Sequence, residues 1–529
     1  MKFFKRFVFF GFFLYLIMPS AWVTAAETDE QKIDRLQKQI EQQQEQIDTL
    51  KEQMDSFPTV VSETLKQKEQ IDTLKAHMTH VYKQTIKDAG LIEKYRLGNE
   101  AYLRSSYFDL NRDDNESGQE EYDNAFVNYF DLKFTAEPDE EVQFHATLTM
   151  YKLWGTWNDP EDVRSADFNY SNKPADSAVK IKRAYVDYRP SWLGRRVNLT
   201  FGRLPTSGGY LTKYRYNRPA MTTYPDLTFN AESDGAALTF YFKNSFTKSL
   251  SLIYARSEDD IDANPFSKDI DGLEDIDFYT VQLNNRLPFL DNSLIVLQWF
   301  RVDNLRPTGD DAFRDNLNRI LALQGVPPVN VQFPEELGHV DKYTLQLSND
   351  RVFDLPVDFF ASVAYSETKP NDKKITINGY PLFSEELAPY KEAIDPVLEG
   401  IYGNAGPYLG SDNNEDSEDA WAVYVGLRYH LPFEKLHNPK IGLEYFQGSE
   451  NWVGLNIAAT DPYQKLNTRG SVWEAYWNQP LVEKTLQMRT GYQLISRDYT
   501  ESLLAGLYGA PKDADQDDSL FYISLEYIF

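Results

Sequence analysis

Cysteine is absent from the 529-residue chain, so neither a disulfide framework nor a thiolate-bound metal is available to it. Histidine is scarce, at six residues, and no Gly-x-Ser-x-Gly elbow, His-Glu-x-x-His pair or phosphate-binding glycine loop occurs. The sequence therefore reads as no enzyme and asks for no cofactor. Cations are outnumbered, 54 Lys and Arg against 81 Asp and Glu, giving a net charge of −27. Nucleic acid is then a poor partner, because that affinity comes from cations neutralising phosphates. Beyond the first residues no apolar run is long enough to cross a bilayer as a helix. What is abundant is aromatic: 34 Tyr and 33 Phe in a chain whose mean hydropathy is −0.54. That pairing suits a fold in which apolar residues are diluted by alternation and gathered at interfaces.

Met1 to Arg6 is basic, Phe7 to Ile17 is apolar, and Thr24-Ala25-Ala26 offers small residues for cleavage. Residues 1–26 read as a secretory signal peptide; as an anchor the apolar run is short. Residues 27–88 follow in heptads: Ile33, Leu36, Ile40, Gln43, Ile47, Leu50 and Met54, then Ile71, Leu74, Met78 and Val81 after the break at Phe57-Pro58. Glu45 to Lys51 recurs letter for letter at Glu69 to Lys75. A helical coiled coil is expected, either a parallel association of identical subunits or a hairpin turned at Pro58. His77 and His80, three apart on it, could touch a metal or simply face solvent. Residues 89–98 serve as a linker.

From about Asn99 to Phe529 the apolar period becomes 2. Phe521, Ile523, Leu525, Tyr527 and Phe529 alternate with Tyr522, Ser524 and Glu526. Trp421, Val423, Val425, Leu427 and Tyr429 stand against Tyr424, Arg428 and His430, and Leu486 to Leu494 against Gln487, Arg489 and Gln493. About sixteen such segments begin near residues 99, 124, 141, 178, 196, 235, 248, 276, 293, 340, 356, 419, 438, 470, 485 and 519. In the fourth the phase slips around Lys182-Arg183; in the ninth, near Leu294, both faces are apolar. Connections alternate long and short, the long ones at Asp109–Asp123, Trp154–Ser177, Leu204–Asp234, Glu258–Asp275, Asn304–His339, Thr368–Glu418, Gly448–Arg469 and Arg497–Asp518. Short turns such as Glu137-Pro138-Asp139-Glu140 lie between them. Outer-membrane barrels have short periplasmic turns and long outer loops, which places both termini in the periplasm. The expected fold is all-β, a transmembrane antiparallel barrel of about 16 strands behind a periplasmic coiled coil. A soluble sandwich or solenoid would also alternate, but it need not carry aromatics at both strand ends, as Trp421 and Tyr429 do here.

The terminal Tyr527-Ile528-Phe529 resembles the signal that recruits the barrel-insertion machinery. Val179 to Thr239 is more distinctive: Lys182-Arg183-Ala184-Tyr185-Val186-Asp187-Tyr188, then Thr200-Phe201-Gly202-Arg203-Leu204-Pro205-Thr206, Tyr224-Pro225 and Asp234-Gly235. This stretch resembles an uncharacterised family of proteobacterial outer-membrane proteins assigned as porins, with a leader and an N-terminal coiled coil. More distantly, the architecture is similar to phosphate-selective porins. The resemblance implies a porin-like role, with no substrate to carry over.

Charge supplies the candidate site. From Tyr188 to Pro225 there is no Asp or Glu, while Arg189, Arg195, Arg196, Arg203, Lys213, Arg215 and Arg218 lie within it. By analogy of position, this third long loop folds inward and narrows the pore, with Arg203, Lys213, Tyr214, Arg215, Tyr216 and Arg218 as the constriction. Cations between low-dielectric walls would favour anions. Alternatively the loop latches over a neighbouring subunit, or Arg203 pairs with wall carboxylates. His145, Arg428, His430 and Arg489 are expected on the lumen wall; a lumen histidine beside a loop serine is the one lipase-like arrangement to consider. The other loops are acidic, as at Glu258-Asp259-Asp260, Asp412 to Asp419 and Asp513 to Asp518. They could share divalent cations with lipopolysaccharide, but the EF-hand pattern fails and solvated faces suffice, so no metal site is assigned. The expected protein is a trimeric outer-membrane channel of a Gram-negative bacterium, lodged in lipid and passing small hydrophilic solutes. The competing reading is a non-conducting barrel whose coiled coil tethers the envelope.

Overall fold

The computed structural model describes residues 96–114, 119–153, 179–243, 246–256, 276–305, 318–319, 330–332, 337–371, 376–377, 380–381, 416–456, 463–483, 485–500, 511 and 513–528. The signal peptide, the coiled coil with His77 and His80, most acidic loops and Phe529 lie outside them. Sixteen strands close on themselves: β1 (Arg96–Asp114), β2 (Gln119–Asp139), β3 (Val142–Leu153), β4 (Lys180–Tyr188), β5 (Val197–Leu204), β6 (Ser233–Tyr241), β7 (Thr247–Arg256), β8 (Asp277–Asn285), β9 (Ser293–Asp303), β10 (Gly338–Asn349), β11 (Val357–Pro370), β12 (Glu418–His430), β13 (Lys440–Gly448), β14 (Gly470–Val482), β15 (Leu486–Tyr499) and β16 (Asp513–Ile528). Each is antiparallel to its neighbours in sequence, and β16 pairs with β1 from Tyr102↔Ile528 to Asp114↔Gln516. Closure leaves no edge strand.

The alternation decides which face is which. Phe521 and Ile523 are 40% and 39% exposed, whereas Tyr522 and Glu526 between and beyond them are fully covered. Apolar side chains thus face out and polar ones in, the reverse of a soluble sheet. Aromatics form rows on the outside. Trp299, Tyr343, Tyr365 and Trp421 lie side by side across β9 to β12 near the long-loop end. Near the short-turn end Tyr429 and Trp477 flank Ile441 in the same way. Trp421 and Tyr429 are eight residues apart on one strand, about 26 Å along it, close to the height of a barrel's apolar band before strand tilt.

Two irregular strands have physical causes. The β3–β4 ladder shifts register between Thr147↔Arg183 and Leu148↔Ile181, so Lys182 occupies a bulge. Lys182 and Arg183 consequently both reach the inner acids, Lys182 toward Asp131 at 3.8 Å and Arg183 to Glu232 at 3.1 Å. In β9 the inner residues Val296, Phe300 and Val302 are apolar because something apolar inside covers them. The first expected long loop is corrected: β1 continues to Asp114 and β2 begins at Gln119, leaving four residues between. The register runs through Asp109↔Asn124 to Asp114↔Gln119, so this polar stretch extends the ladder. Likewise Asp513 to Asp518 belong to β16, where Asp518 pairs with Arg497 at 2.7 Å. Beyond the barrel, Val331–Gln332, Thr376–Ile377 and Tyr380–Pro381 form a small sheet joining two long connections.

Candidate functional site in the barrel lumen

The segment 205–232, between β5 and β6, turns into the barrel. It doubles back through Tyr210 N–H to Tyr224 O (3.1 Å), and Leu211 N–H donates to Asp226 Oδ2 (2.9 Å). Gly209 permits that turn, since a Cβ there would sit 2.5 Å from Asp226 Oδ1. One short helix, α1 (Thr212–Tyr216), follows and ends on Asn217 in the left-handed region. Leu211, Tyr214 and Leu227 pack on Phe360, Ala364, Tyr424 and Phe446 of the wall, with Tyr214 stacked on Phe360 at 5.3 Å. Phe229 stacks on Phe300 at 5.2 Å and is the cover for β9's apolar inner face. The tip reaches the short-turn end: Arg428 donates to Tyr214 O (2.7 Å), Gln487 to Tyr216 O (2.8 Å) and Asn217 to Gln487 Oε1 (2.9 Å).

The expected constriction residues part company. Lys213 pairs with Asp350 (2.8 Å) and stacks over Tyr210; Arg215 pairs with the buried Glu474 (2.7 Å). Tyr214 and Tyr216 are buried beside them. Arg218 reaches no carboxylate within 4 Å among the described residues and lies over Tyr102 at 4.2 Å. Arg203 stands apart: it shares the outward parity of Phe201 and pairs with Asp234 across the β5–β6 ladder (2.9 Å). Positive charge in the segment was legible, but its counter-ions, Asp350 and Glu474, lie far along the chain from it.

The described parts of a second connection, 449–456 and 463–469, also fold inward, and the sequence reading missed them. Trp452, Val453 and Leu455 are buried, Asn230 N–H donates to Leu455 O (2.9 Å), and Lys465 is held between Glu444 and Glu474. The available signal was Trp452-Val453-Gly454-Leu455, an apolar run in a connection that should be polar.

The four wall residues face the interior. His145 approaches Asp187 (3.5 Å) and stacks on Tyr185, while Asp187 also accepts from Thr200 and Asn198. Arg428 and His430 share Asp358 at 2.6 and 2.7 Å. Arg489 pairs with Glu526 (3.0 Å). Tyr527 takes its place in β16 opposite Leu103 and Leu486. Among the described residues no group of three or more His, Cys, Asp or Glu is placed to hold a metal.

A model of the family described as "Protein of unknown function (DUF3373)" matches residues 119–520. The chain belongs to that family. The match runs from β2 into β16 and so includes both inward connections. The search of curated proteins finds no match. Among solved structures, an anion-selective porin from Comamonas acidovorans is similar at 10% identity and a TM-score of 0.43, covering 82% of this chain and 100% of the porin. The outer membrane channel DcaP of Acinetobacter baumannii gives 13% identity and 0.42, over 83% and 98% of the two chains. Pseudomonas putida OprB gives 11% and 0.40, over 84% and 97%. No residue role is carried over from any of them.

Asp226 gives the inward segment a pH dependence. Burial pushes its carboxyl up to about 7, against the opposing Leu211 N–H bond and the nearby Lys465. A raised carboxyl seats best when neutral. The attachment is therefore fullest below the ordinary carboxylate range and weakens as pH climbs through about 7. Hydrogen exchange of amides 206–231, corrected for intrinsic rate, should speed up several-fold from pH 6 to pH 8. Asp226→Asn should remove that dependence; a variant retaining it would assign the effect to another group.

Proposed function

We propose that this protein is an outer-membrane channel of porin type, passing small hydrophilic solutes with a preference for anions. The observation that carries the reading is the inverted barrel: apolar outside between two aromatic rows, polar inside, with a basic segment crossing the lumen. Beside that segment the wall of β1 to β5 keeps water contact. Glu100 is half exposed, and Lys133 and His145 are each about a fifth exposed. Lys213 and Arg215 are neutralised by their partners, so in this reading Arg218, not the whole trio, carries the segment's selectivity. The proposal includes a periplasmic coiled coil over 27–88, a homotrimer, and insertion through Tyr527 and Phe529.

A second reading has its own support. Two connections turn into the lumen, and Trp452 is wholly buried. A barrel plugged in this way would be a non-conducting tether. Planar bilayers separate the two. The channel reading expects ohmic steps and a zero-current potential on the anion side in a salt gradient, shifted toward zero by Arg218→Gln. Absence of steps from folded protein would leave the tether.

A further inference from the structure

We infer that the lumen holds a binding site for a compact oxyanion, carboxylate or phosphate in class, built by Arg104, Arg218 and Arg489 around Tyr102 and Tyr216. It deepens the anion preference proposed above and rests on the inward course of 205–232. Arg104 comes from β1 and Arg489 from β15; Arg218 follows α1 on the inward segment. All three guanidinium groups lie against one ring, Tyr216, at 5.4, 5.2 and 4.4 Å from its centroid. Arg218 also covers Tyr102 at 4.2 Å and Arg104 covers Tyr129 at 5.2 Å. Stacking occupies the faces of a guanidinium and leaves its N–H edge for in-plane acceptors.

Those edges are short of acceptors. Arg104 is 3% exposed, yet its Nε and Nη2 have no hydrogen-bond partner; neither do Arg489 Nη1 and the covered Tyr102 hydroxyl. Glu526 lies opposite Arg104 in the β1–β16 ladder, but its oxygens already accept from Arg489 Nε (3.0 Å) and Gln487 Nε2 (2.8 Å). Asp131 is engaged by Lys182 (3.8 Å) and by the Tyr129 hydroxyl (2.9 Å). Among the described residues, neither Arg104 nor Arg218 has a carboxylate within 4 Å. Ordered water could satisfy the hydrogen bonds but brings no charge to balance Arg104, Arg218 and Arg489, which share Glu526 as their common nearby anion, with Asp131 also facing Arg218. An oxyanion satisfies both, because two or more of its oxygens can each take a charged N–H. The orphan groups of Arg104, Arg489 and Tyr102 are N–H donors and a hydroxyl, which favours an anion over a cation; the one orphan acceptor beside them, Asp131 Oδ1, belongs to the carboxylate paired with Lys182.

Isothermal calorimetry on the full-length detergent-solubilised protein tests this, with sodium phosphate and sodium acetate titrated against sodium chloride at equal ionic strength. Saturable heat from either oxyanion beyond chloride is expected, the stronger responder defining which oxyanion geometry the site fits. Arg104→Met, Arg218→Met and Tyr102→Phe should each weaken it about tenfold or more. Glu526→Gln, which removes the competing carboxylate, should tighten it. Tyr102→Phe deletes a single hydroxyl and keeps the test alive should an arginine variant fail to fold. No saturable signal above chloride, or equal binding in wild type and the variants, overturns the site. Calorimetry reads no current, so binding without conductance would remove the channel and leave the site, while conductance without binding would remove only the site.

Discussion

Glu474→Gln should loosen both inward connections at once. The Glu474 carboxylate is buried, forms an ion pair with Arg215 (2.7 Å), and accepts from Lys465 (2.6 Å), the Tyr522 hydroxyl (2.6 Å) and Gln493 (3.2 Å). It thus grips both inward connections together, as Lys342 of the wall also does through Leu227 O (3.5 Å) and the Trp452 ring (4.2 Å). Removing the charge takes an anionic partner from both buried cations, Arg215 and Lys465, while Glu444 stays beside Lys465. Breaking a buried pair from one side costs about 3–5 kcal/mol, mostly from the charge left behind. The expected results are a several-fold rise in single-channel conductance and rapid tryptic cleavage at Lys213 or Arg215, the barrel itself staying folded. Adding Arg215→Met should recover part of the loss. Unchanged conductance together with unchanged trypsin resistance would show that other contacts hold the loops.

Val363→Arg should cost about 2–4 kcal/mol of barrel stability, since arginine near the bilayer midplane on the lipid face carries that penalty. Val363 sits mid-strand in β11 with an outward side chain, half exposed in the absence of lipid. Thr135→Arg makes the same change beside His145 on the water-contacting inner wall and should shift stability by less than 1 kcal/mol, as ordinary non-core substitutions do. Urea titration in lipid vesicles, following the heat-modifiable mobility of the folded barrel, compares them. Equal damage on both faces would mean that the outer face is not in contact with lipid.

The barrel was legible because a strand that separates lipid from lumen must alternate, and alternation is a local signal. Strand starts such as 293 and 470 coincide with Ser293 and Gly470. The phase slip at Lys182-Arg183 marks a real bulge, and the doubly apolar face near Leu294 marks a real interior contact, with Phe229. What failed was contextual. Polarity at Asp109 to Asp123 suggested a loop, but a hairpin needs only backbone pairing to continue. Arg203 joined the constriction on sequence proximity although parity turns it outward. Arg104 was overlooked because an inward arginine on a strand looks like any other wall residue. Only the approach of Tyr216, more than a hundred positions later, sets it apart.

The pairing of β1 with β16 has a consequence for biogenesis. Every other ladder of the barrel joins strands adjacent in the chain and can zip as soon as its hairpin is made. This last ladder joins Tyr102 to Ile528, so it waits for nearly the whole sequence, and until then β1 and the most recent strand both present unsatisfied backbone to any partner. Arg104, Arg489 and Glu526 lie on the three strands that meet there. Their alignment is therefore the final event of assembly. A chain arrested before Asp513 would possess the inward segment and most of the wall but no oxyanion pocket, and its two open edges would be sites for aggregation or for a chaperone that binds strands.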